Sequence, residues 1–186
     1  MPDDLFFIRG QRIIQQLDER STVPDLEDNI VRGFPETKKR QHVVNQVTSN
    51  NIQYTPYVGM NTLHVKSTSS SNGHNYQQAL QFNGVKFESA DTPDNSTFAA
   101  ADGTDYHIQP LDLSNHNCKV RCNCLDFHFR FSTFNSGDQS LVGRPPPLDQ
   151  RKTYRPPFNP TQVPGMCKHL LSLVQALQSA GVIKQH

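Results

Sequence analysis

Hydrophobic and polar positions divide the N-terminal part of this chain into a segment with helical periodicity and a segment interrupted by proline and glycine. Between residues 5 and 18, apolar side chains recur near one face of a helix, which predicts an amphipathic helix. Residues 21–35 are interrupted by Pro24, Gly33 and Pro35 and carry several acidic side chains, which predicts an extended connection. We therefore expect residues 1–60 to form an N-terminal helix followed by an extended arm.

From residue 61 onward the pattern becomes typical of β-strands. Residues 62–68 alternate, with Leu63 and Val65 on one side and Lys66 on the other. Residues 79–82 and 85–88 flank Asn83-Gly84, a dipeptide suited to a type I′ turn, so a hairpin is predicted there. Residues 89–105 are polar and predict a surface excursion, and residues 106–111 predict a short strand.

The C-terminal third combines a second alternating segment with a helical one. Residues 118–131 alternate, which predicts a strand with four apolar side chains on one face: Leu125, Phe127, Phe129 and Phe131. Residues 170–178 have apolar residues at helical spacing, which predicts a C-terminal helix. Together these segments predict an α+β fold, a loop-rich domain over 61–186 with a small antiparallel sheet, β-hairpins, and helices at both termini of the chain.

Composition limits the classes of function. The formal net charge of the 186 residues is only +1, so no whole-molecule field attracts nucleic acid or an anionic membrane. The N-terminus lacks the basic segment and the apolar length of a signal peptide, so we do not expect secretion by that route. Four cysteines in such a chain fit a reducing compartment and metal binding better than disulfides.

Two pairs of potential metal ligands stand out, each with one residue between its members. Cys122 and Cys124 lie in the alternating segment, where residues two apart point to the same side of a strand. Cys167 and His169 stand just before the C-terminal helix, where the helix dipole favours a thiolate. Three thiolates and one imidazole suit a tetrahedral Zn²⁺ ion, so the sequence predicts zinc bound by these four residues.

At these residues the chain resembles the SWIM-type zinc finger, a family with a Cys-x-Cys pair, a variable loop and a Cys-x-His pair opening a helix. Gly165 and Lys168 match the Gly-x-Cys-Lys-His context often seen there, and the loop between the pairs is longer than usual. The resemblance implies a finger over residues 118–186, stapled by structural Zn²⁺. It favours His169 over His128 as the fourth ligand and leaves Cys118 as a spare thiol.

The loop between the two pairs, residues 135–164, is rich in proline and predicts stiff polyproline II segments. Basic and aromatic residues are interleaved in it. They can contact a protein partner, where arginine and tyrosine make good anchors, or a nucleic-acid strand, by stacking and phosphate contact. The candidate contact residues are Arg144, Arg151, Lys152, Tyr154 and Arg155.

No motif in the sequence supports an enzyme or a small-molecule substrate. It has no phosphate-binding glycine loop, no nucleophile elbow and no His-Glu-x-x-His helix. Four protein ligands would leave zinc no open position for water, as in structural sites. Two functions remain: a non-enzymatic, zinc-stabilised interaction protein of a large assembly, and, as the alternative, a SWIM-type nucleic-acid-binding module.

Outside the finger, the chain resembles small proteins of tailed phages of aquatic bacteria. The similar stretches are residues 35–42 and 57–63, together with the finger itself. This resemblance implies a virion component of the neck, tail, baseplate or head, located in the virion or the host cytoplasm. Its expected partners are other protein subunits of the assembly, with no membrane contact.

Overall fold

The computed structural model describes residues 21–33, 47–71, 73–147 and 159–184. Helices and antiparallel strands are mixed, which confirms the predicted α+β class. The helices are α1 (Val23–Gly33), α2 (Leu125–Arg130), α3 (Ser132–Gly137) and α4 (Lys168–Ser179). The strands are β1 (Ser49–Tyr57), β2 (Thr62–Ser71), β3 (His74–Asn83), β4 (Phe87–Glu88), β5 (Ser96–Ala99), β6 (Asp105–Ile108) and β7 (Cys118–Cys122). The helix predicted over residues 5–18 lies outside the described residues.

A four-stranded antiparallel sheet in the order β1-β2-β3-β7 forms the centre of the fold. The predicted alternation in β2 is confirmed, because Leu63 and Val65 are buried while Lys66 is exposed. The predicted C-terminal helix is present as α4, whose buried residues pack into the same core. The sheet therefore has one face in the core and an opposite face that carries the polar residues.

The hairpin predicted at Asn83-Gly84 is wrong. Gly84 does adopt a left-handed conformation, with a φ of 75°, but β4 pairs with β6 and not with β3. Both edges of β3 are already occupied, because Phe82 lies opposite Leu63 of β2 and opposite Cys118 of β7. The tight hairpin instead joins β2 to β3, where Ser71 pairs with His74 across residues 72–73, another Asn-Gly pair.

The extended connection predicted over residues 21–35 is also wrong, since helix α1 occupies most of it. Thr22 caps the helix: its hydroxyl lies 2.6 Å from a carboxylate oxygen of Asp25, and its backbone N–H donates to the same oxygen at 2.8 Å. Proline is compatible with the first helical turn because N–H groups there have no intrahelical acceptor. Val23, Leu26 and Ile30 form the buried face that holds α1 on the domain.

The long strand predicted over residues 118–131 ends at Cys122, and the chain continues as α2 and α3. The predicted single face of apolar residues is therefore wrong. Phe127 and Phe131 are buried four residues apart, as on a helix, while Leu125 and Phe129 are 70% and 47% exposed. The N-terminal end of the predicted loop 135–164 likewise belongs to α3.

A second, three-stranded sheet in the order β4-β6-β5 lies beside the first. Its strand β5 falls inside residues 89–105, so the surface excursion predicted there is wrong in part, and Phe98 of β5 is buried. The rings of Phe98 and Tyr54 pack with their centroids 4.7 Å apart, and the backbone N–H of Ala101 donates to the Tyr54 carbonyl. The second sheet is thereby joined to β1.

Residues on both sides of the predicted boundary at residue 60 belong to one sheet. Strand β1 precedes that boundary, and Tyr57 of β1 pairs with Thr62 of β2. The segment that follows α4 is fixed as well, because the N–H of Leu111 donates to the Val182 carbonyl and the N–H of Lys184 donates to the Leu111 carbonyl. Described residues from 49 to 184 thus share one hydrogen-bonded framework.

Removing the Thr22 hydroxyl tests the capping of α1. We expect Thr22→Ala to lower the free energy of unfolding by about 1 kcal/mol, since a helix-capping side chain is lost. Thr22→Ser keeps the hydroxyl and serves as the control, with a change well below that value. Urea unfolding measures both. Equal losses in the two variants would show that the hydroxyl does not stabilise the helix.

Candidate metal centre

The four predicted ligands come together in the structure at the meeting point of one strand and two helices. Cys122 ends β7, Cys124 is the N-cap residue of α2, Cys167 is the N-cap residue of α4, and His169 lies in the first turn of α4. All four residues are buried. The cluster therefore sits inside the protein and joins two regions that are far apart in sequence.

The geometry of the donor atoms suits a tetrahedral ion. One ligand atom from each residue lies within 4.8 Å of all the others. The Nδ1 atom of His169 is 3.9 Å from the sulfur of Cys122 and 3.8 Å from that of Cys167. Around tetrahedral zinc, with Zn–S near 2.3 Å and Zn–N near 2.0–2.1 Å, neighbouring ligand atoms would be about 3.6–3.8 Å apart. The cluster can hold a metal ion after only small shifts.

Backbone N–H groups support negative charge on the first pair of sulfurs. The N–H of Cys124 donates to the Cys122 sulfur at 3.5 Å, and the N–H of Phe127 donates to the Cys124 sulfur at 3.3 Å. The second bond is also the N-terminal cap of α2. Hydrogen bonds to a thiolate favour its charged form, which is the form of cysteine that binds metal ions.

Hydrogen bonding and burial shift the pKa values of the three clustered thiols in opposite directions. Their mutual hydrogen bond is the largest cause that raises the pKa of Cys122 to about 12 and lowers the pKa of Cys124 far below its usual value. Burial is the largest cause that raises the pKa of Cys167 well above its usual value. Metal ions bind cysteine in its thiolate form, so a bound cation would favour the charged form of all three sulfurs.

The imidazole of His169 presents Nδ1 to the cluster and is oriented by an aromatic neighbour. Its ring packs on Tyr76 of β3 with a centroid separation of 4.3 Å. The other nitrogen, Nε2, is buried and has no hydrogen-bond partner among the described residues. The contact with Tyr76 holds the ring with Nδ1 toward the sulfurs.

The segment before Cys167 is fixed by two buried asparagines. The Asn159 side chain donates to the carbonyls of Arg130 and Val163, and the Asn135 side chain accepts from the N–H of Gly165. A Cβ atom at Gly165 would lie only 2.7 Å from the Phe131 ring. Because glycine has no side chain, the segment that carries Cys167 and His169 can pack closely against α2 and α3, the helices that follow Cys122 and Cys124.

Two other predicted candidates lie apart from the donor cluster. Cys118, predicted to be a spare thiol, is buried, and its S–H donates to the Ser21 carbonyl at 3.6 Å. Burial is the largest cause that raises the pKa of Cys118 far above its usual value. His128 lies on α2 beside Phe129. Among the described residues, the donors that lie close enough together to share an ion at this site are the four predicted ligands, Cys122, Cys124, Cys167 and His169.

The structure describes only one of the predicted partner-contact residues. Arg144 is exposed, and its carbonyl accepts a hydrogen bond from the side chain of Arg121. Arg151, Lys152, Tyr154 and Arg155 lie outside the described residues. Contact between this loop and a protein or nucleic acid stays a prediction.

Comparison of the chain with family models, curated proteins and solved structures finds no match. In the described part of the chain, no helix has the length and apolar character needed to cross a membrane. The buried Cys₃His cluster, loosely compatible with a zinc finger, is therefore the structural feature on which a functional assignment depends.

Several residues that support the cluster were not predicted. Tyr76, Asn135 and Asn159 are polar or aromatic residues without a recognisable motif, and only the fold brings them next to the ligands. The ammonium group of Lys168 donates to the Ser71 hydroxyl at 2.9 Å and so joins α4 to the end of β2. The sequence does contain one sign of the close packing behind the second ligand pair. A glycine, Gly165, lies two residues before Cys167, at the point where the backbone approaches the Phe131 ring.

Gly165→Ala tests the close approach behind the second ligand pair. We expect a loss of about 1–3 kcal/mol in the free energy of unfolding, because the added methyl overlaps the Phe131 ring. Gly137→Ala is the matched control: nothing lies within 4 Å of a Cβ there, and we expect a change below about 1 kcal/mol. Denaturant unfolding measures both variants, and an unchanged stability for Gly165→Ala would contradict the packing described here.

Proposed function

We propose that the cluster binds one structural Zn²⁺ ion and that residues 118–186 form a SWIM-type zinc finger. The observation that carries the proposal is the set of four buried donors, three sulfurs and one imidazole nitrogen, within 4.8 Å of one another. Zinc accepts this donor set in tetrahedral geometry. The Cys-x-Cys and Cys-x-His spacing, with the second pair opening α4, supports the assignment to this type of finger.

The proposed role of the ion is mechanical. It connects the end of β7 and the start of α2 to the start of α4, across a long intervening loop. Four protein ligands complete a tetrahedron and leave no position for a reacting water molecule, which favours a structural over a catalytic site. We therefore propose a non-enzymatic protein whose fold the metal stabilises.

We further propose that this protein is an interaction component of a large assembly, namely the virion of a tailed phage. The turn between β1 and β2 supports protein contact, because Tyr57, Val58 and Met60 are 42%, 49% and 68% exposed. Grouped apolar side chains on a surface are typical of sites that a partner covers. The same turn begins the stretch 57–63 that resembles phage proteins, so the sequence resemblance and the exposed surface coincide.

Metal analysis tests the zinc assignment. We expect about one equivalent of zinc in the purified, unchelated protein and a marked loss of stability on chelation, since structural zinc is worth on the order of 10 kcal/mol of apparent binding free energy. Cys167→Ser should lose the metal and loosen α4. Cys118→Ser is the control and should keep it. Less than about half an equivalent in folded wild type, or metal loss in the control alone, would refute the ligand set.

Incorporation into particles tests the assembly role. In purified virions we expect the chain at fixed stoichiometry, and Met60→Gln should reduce incorporation about tenfold, as a loss of about 1.4 kcal/mol in association would. Lys184→Gln introduces the same side chain at an exposed position after α4, outside this turn, and is the control. Quantitative mass spectrometry of particles measures both. Absence of the chain from particles would reject the assembly role while leaving the zinc assignment intact.

A further inference from the structure

An open groove of about 1170 Å³ lies on the face of the four-stranded sheet opposite to α4. One row of residues crosses it from strand to strand: Gln53 pairs with Lys66, Lys66 with Ala79, and Ala79 with Arg121. These positions alternate with the core residues of the same strands, so their side chains point away from the core. The groove is therefore built on regular, paired backbone.

The charges lining the groove have one sign. Lys66 and Arg121 contribute two cations about 10 Å apart, the width of two strand spacings, and no aspartate or glutamate lines it. In the described part of the chain, neither cation forms an ion pair with a carboxylate. Within the described residues their charge is thus not neutralised by a paired carboxylate, although the net charge of the whole protein is only +1.

Arg121 is held in place at one end of the groove. Its guanidinium group donates to the carbonyls of Val142 and Arg144. Between them, Gly143 has a φ of 76°, which lets the backbone turn around the guanidinium. Carbonyl oxygens orient the group without cancelling its charge, and the turn brings exposed Arg144 to the same end of the groove.

The other wall is formed by α2, which presents His128 and Leu125 to the groove. The His128 ring is braced by Phe129 at a centroid separation of 4.8 Å and an angle of 76°. The floor and the remaining edges carry side-chain amides that can donate and accept hydrogen bonds: Asn51, Gln53, Gln77 and Asn123. Cations, amides and a planar ring therefore line a single depression.

We propose that this groove binds single-stranded nucleic acid, with Lys66 and Arg121 on phosphates and His128 against a base. Non-specific single-strand sites combine a cationic groove with rings on which bases stack. The volume exceeds the roughly 300–1,000 Å³ of small-molecule sites, and the groove is open, which suits a polymer. This activity adds to the proposed assembly role and does not depend on it.

An acidic protein segment is the competing occupant, and the lining argues against it. The centre of a protein interface is typically apolar and depleted in lysine, whereas Lys66 and Gln53 lie in the central row of this groove. A duplex is also less suitable, because its bases are stacked internally and unavailable to His128. Both occupants are distinguished by the binding experiment.

Fluorescence anisotropy with labelled oligothymidylate and full-length zinc-loaded protein tests the proposal over a salt series. We expect salt-dependent binding, because phosphate contacts release counterions. Lys66→Gln should weaken binding about threefold and lower the slope of log affinity against log salt by about 0.7, the contribution of one phosphate contact to a single strand. Arg121→Gln should weaken it at least as much, and His128→Ala should weaken it without changing the slope.

Lys184→Gln removes the same charge from an exposed residue that follows α4 and does not line the groove, so it is the matched control and should bind normally. Lys66 has an exposed side chain, so its variant should fold, which a thermal melt checks. Absence of salt-dependent binding, an equal loss with Lys184→Gln, or an unchanged affinity for Lys66→Gln would overturn the proposal. So would equally tight binding of duplex DNA or efficient competition by polyglutamate.

Discussion

Convergence of three buried sulfurs and one imidazole is the constraint on which the rest of the domain depends. Hydrogen bonding from Cys122 lowers the pKa of Cys124, whereas burial raises the pKa of Cys167, so the two effects oppose each other within the cluster. A bound divalent ion would remove that conflict and tie the end of β7 to the start of α4. In a chain with only 34% hydrophobic residues, such a staple supplements a small core.

The same strand serves the metal centre and the groove, because side chains of a strand alternate between its two faces. In β7, Val120 and Cys122 face the core and the metal cluster, while Arg121 between them faces the groove. Helix α2 continues this arrangement: Cys124 caps it, and His128, one turn later, forms the groove wall. Cys122 of the candidate metal centre also lines the groove, so loss of a bound metal would be expected to disturb the groove through β7 and α2.

Local sequence patterns predicted an element correctly where the hydrophobic periodicity matched the buried face. They failed where contacts between distant segments determined the structure. Alternation in β2 and helical spacing in α4 predicted both elements, since each has one face in the core. The alternation after Cys122 was misleading. Of the four apolar residues predicted to share one face of a strand, Leu125 and Phe129 are exposed on a helix. The Asn-Gly signal at residue 83 failed because β3 already had neighbours on both edges, which no local pattern reveals.

By itself, the sequence determined the chemistry of the candidate site. Residue type and spacing predict Cys122, Cys124, Cys167 and His169 as a ligand set, since few other roles need soft donors in two such pairs. Only the tertiary structure decided that these atoms meet, that Tyr76 orients the imidazole, and that Lys66 and Arg121 share one groove. The physical reason is that strand pairing and core packing bring together residues distant in sequence, and no local pattern records which strands become neighbours.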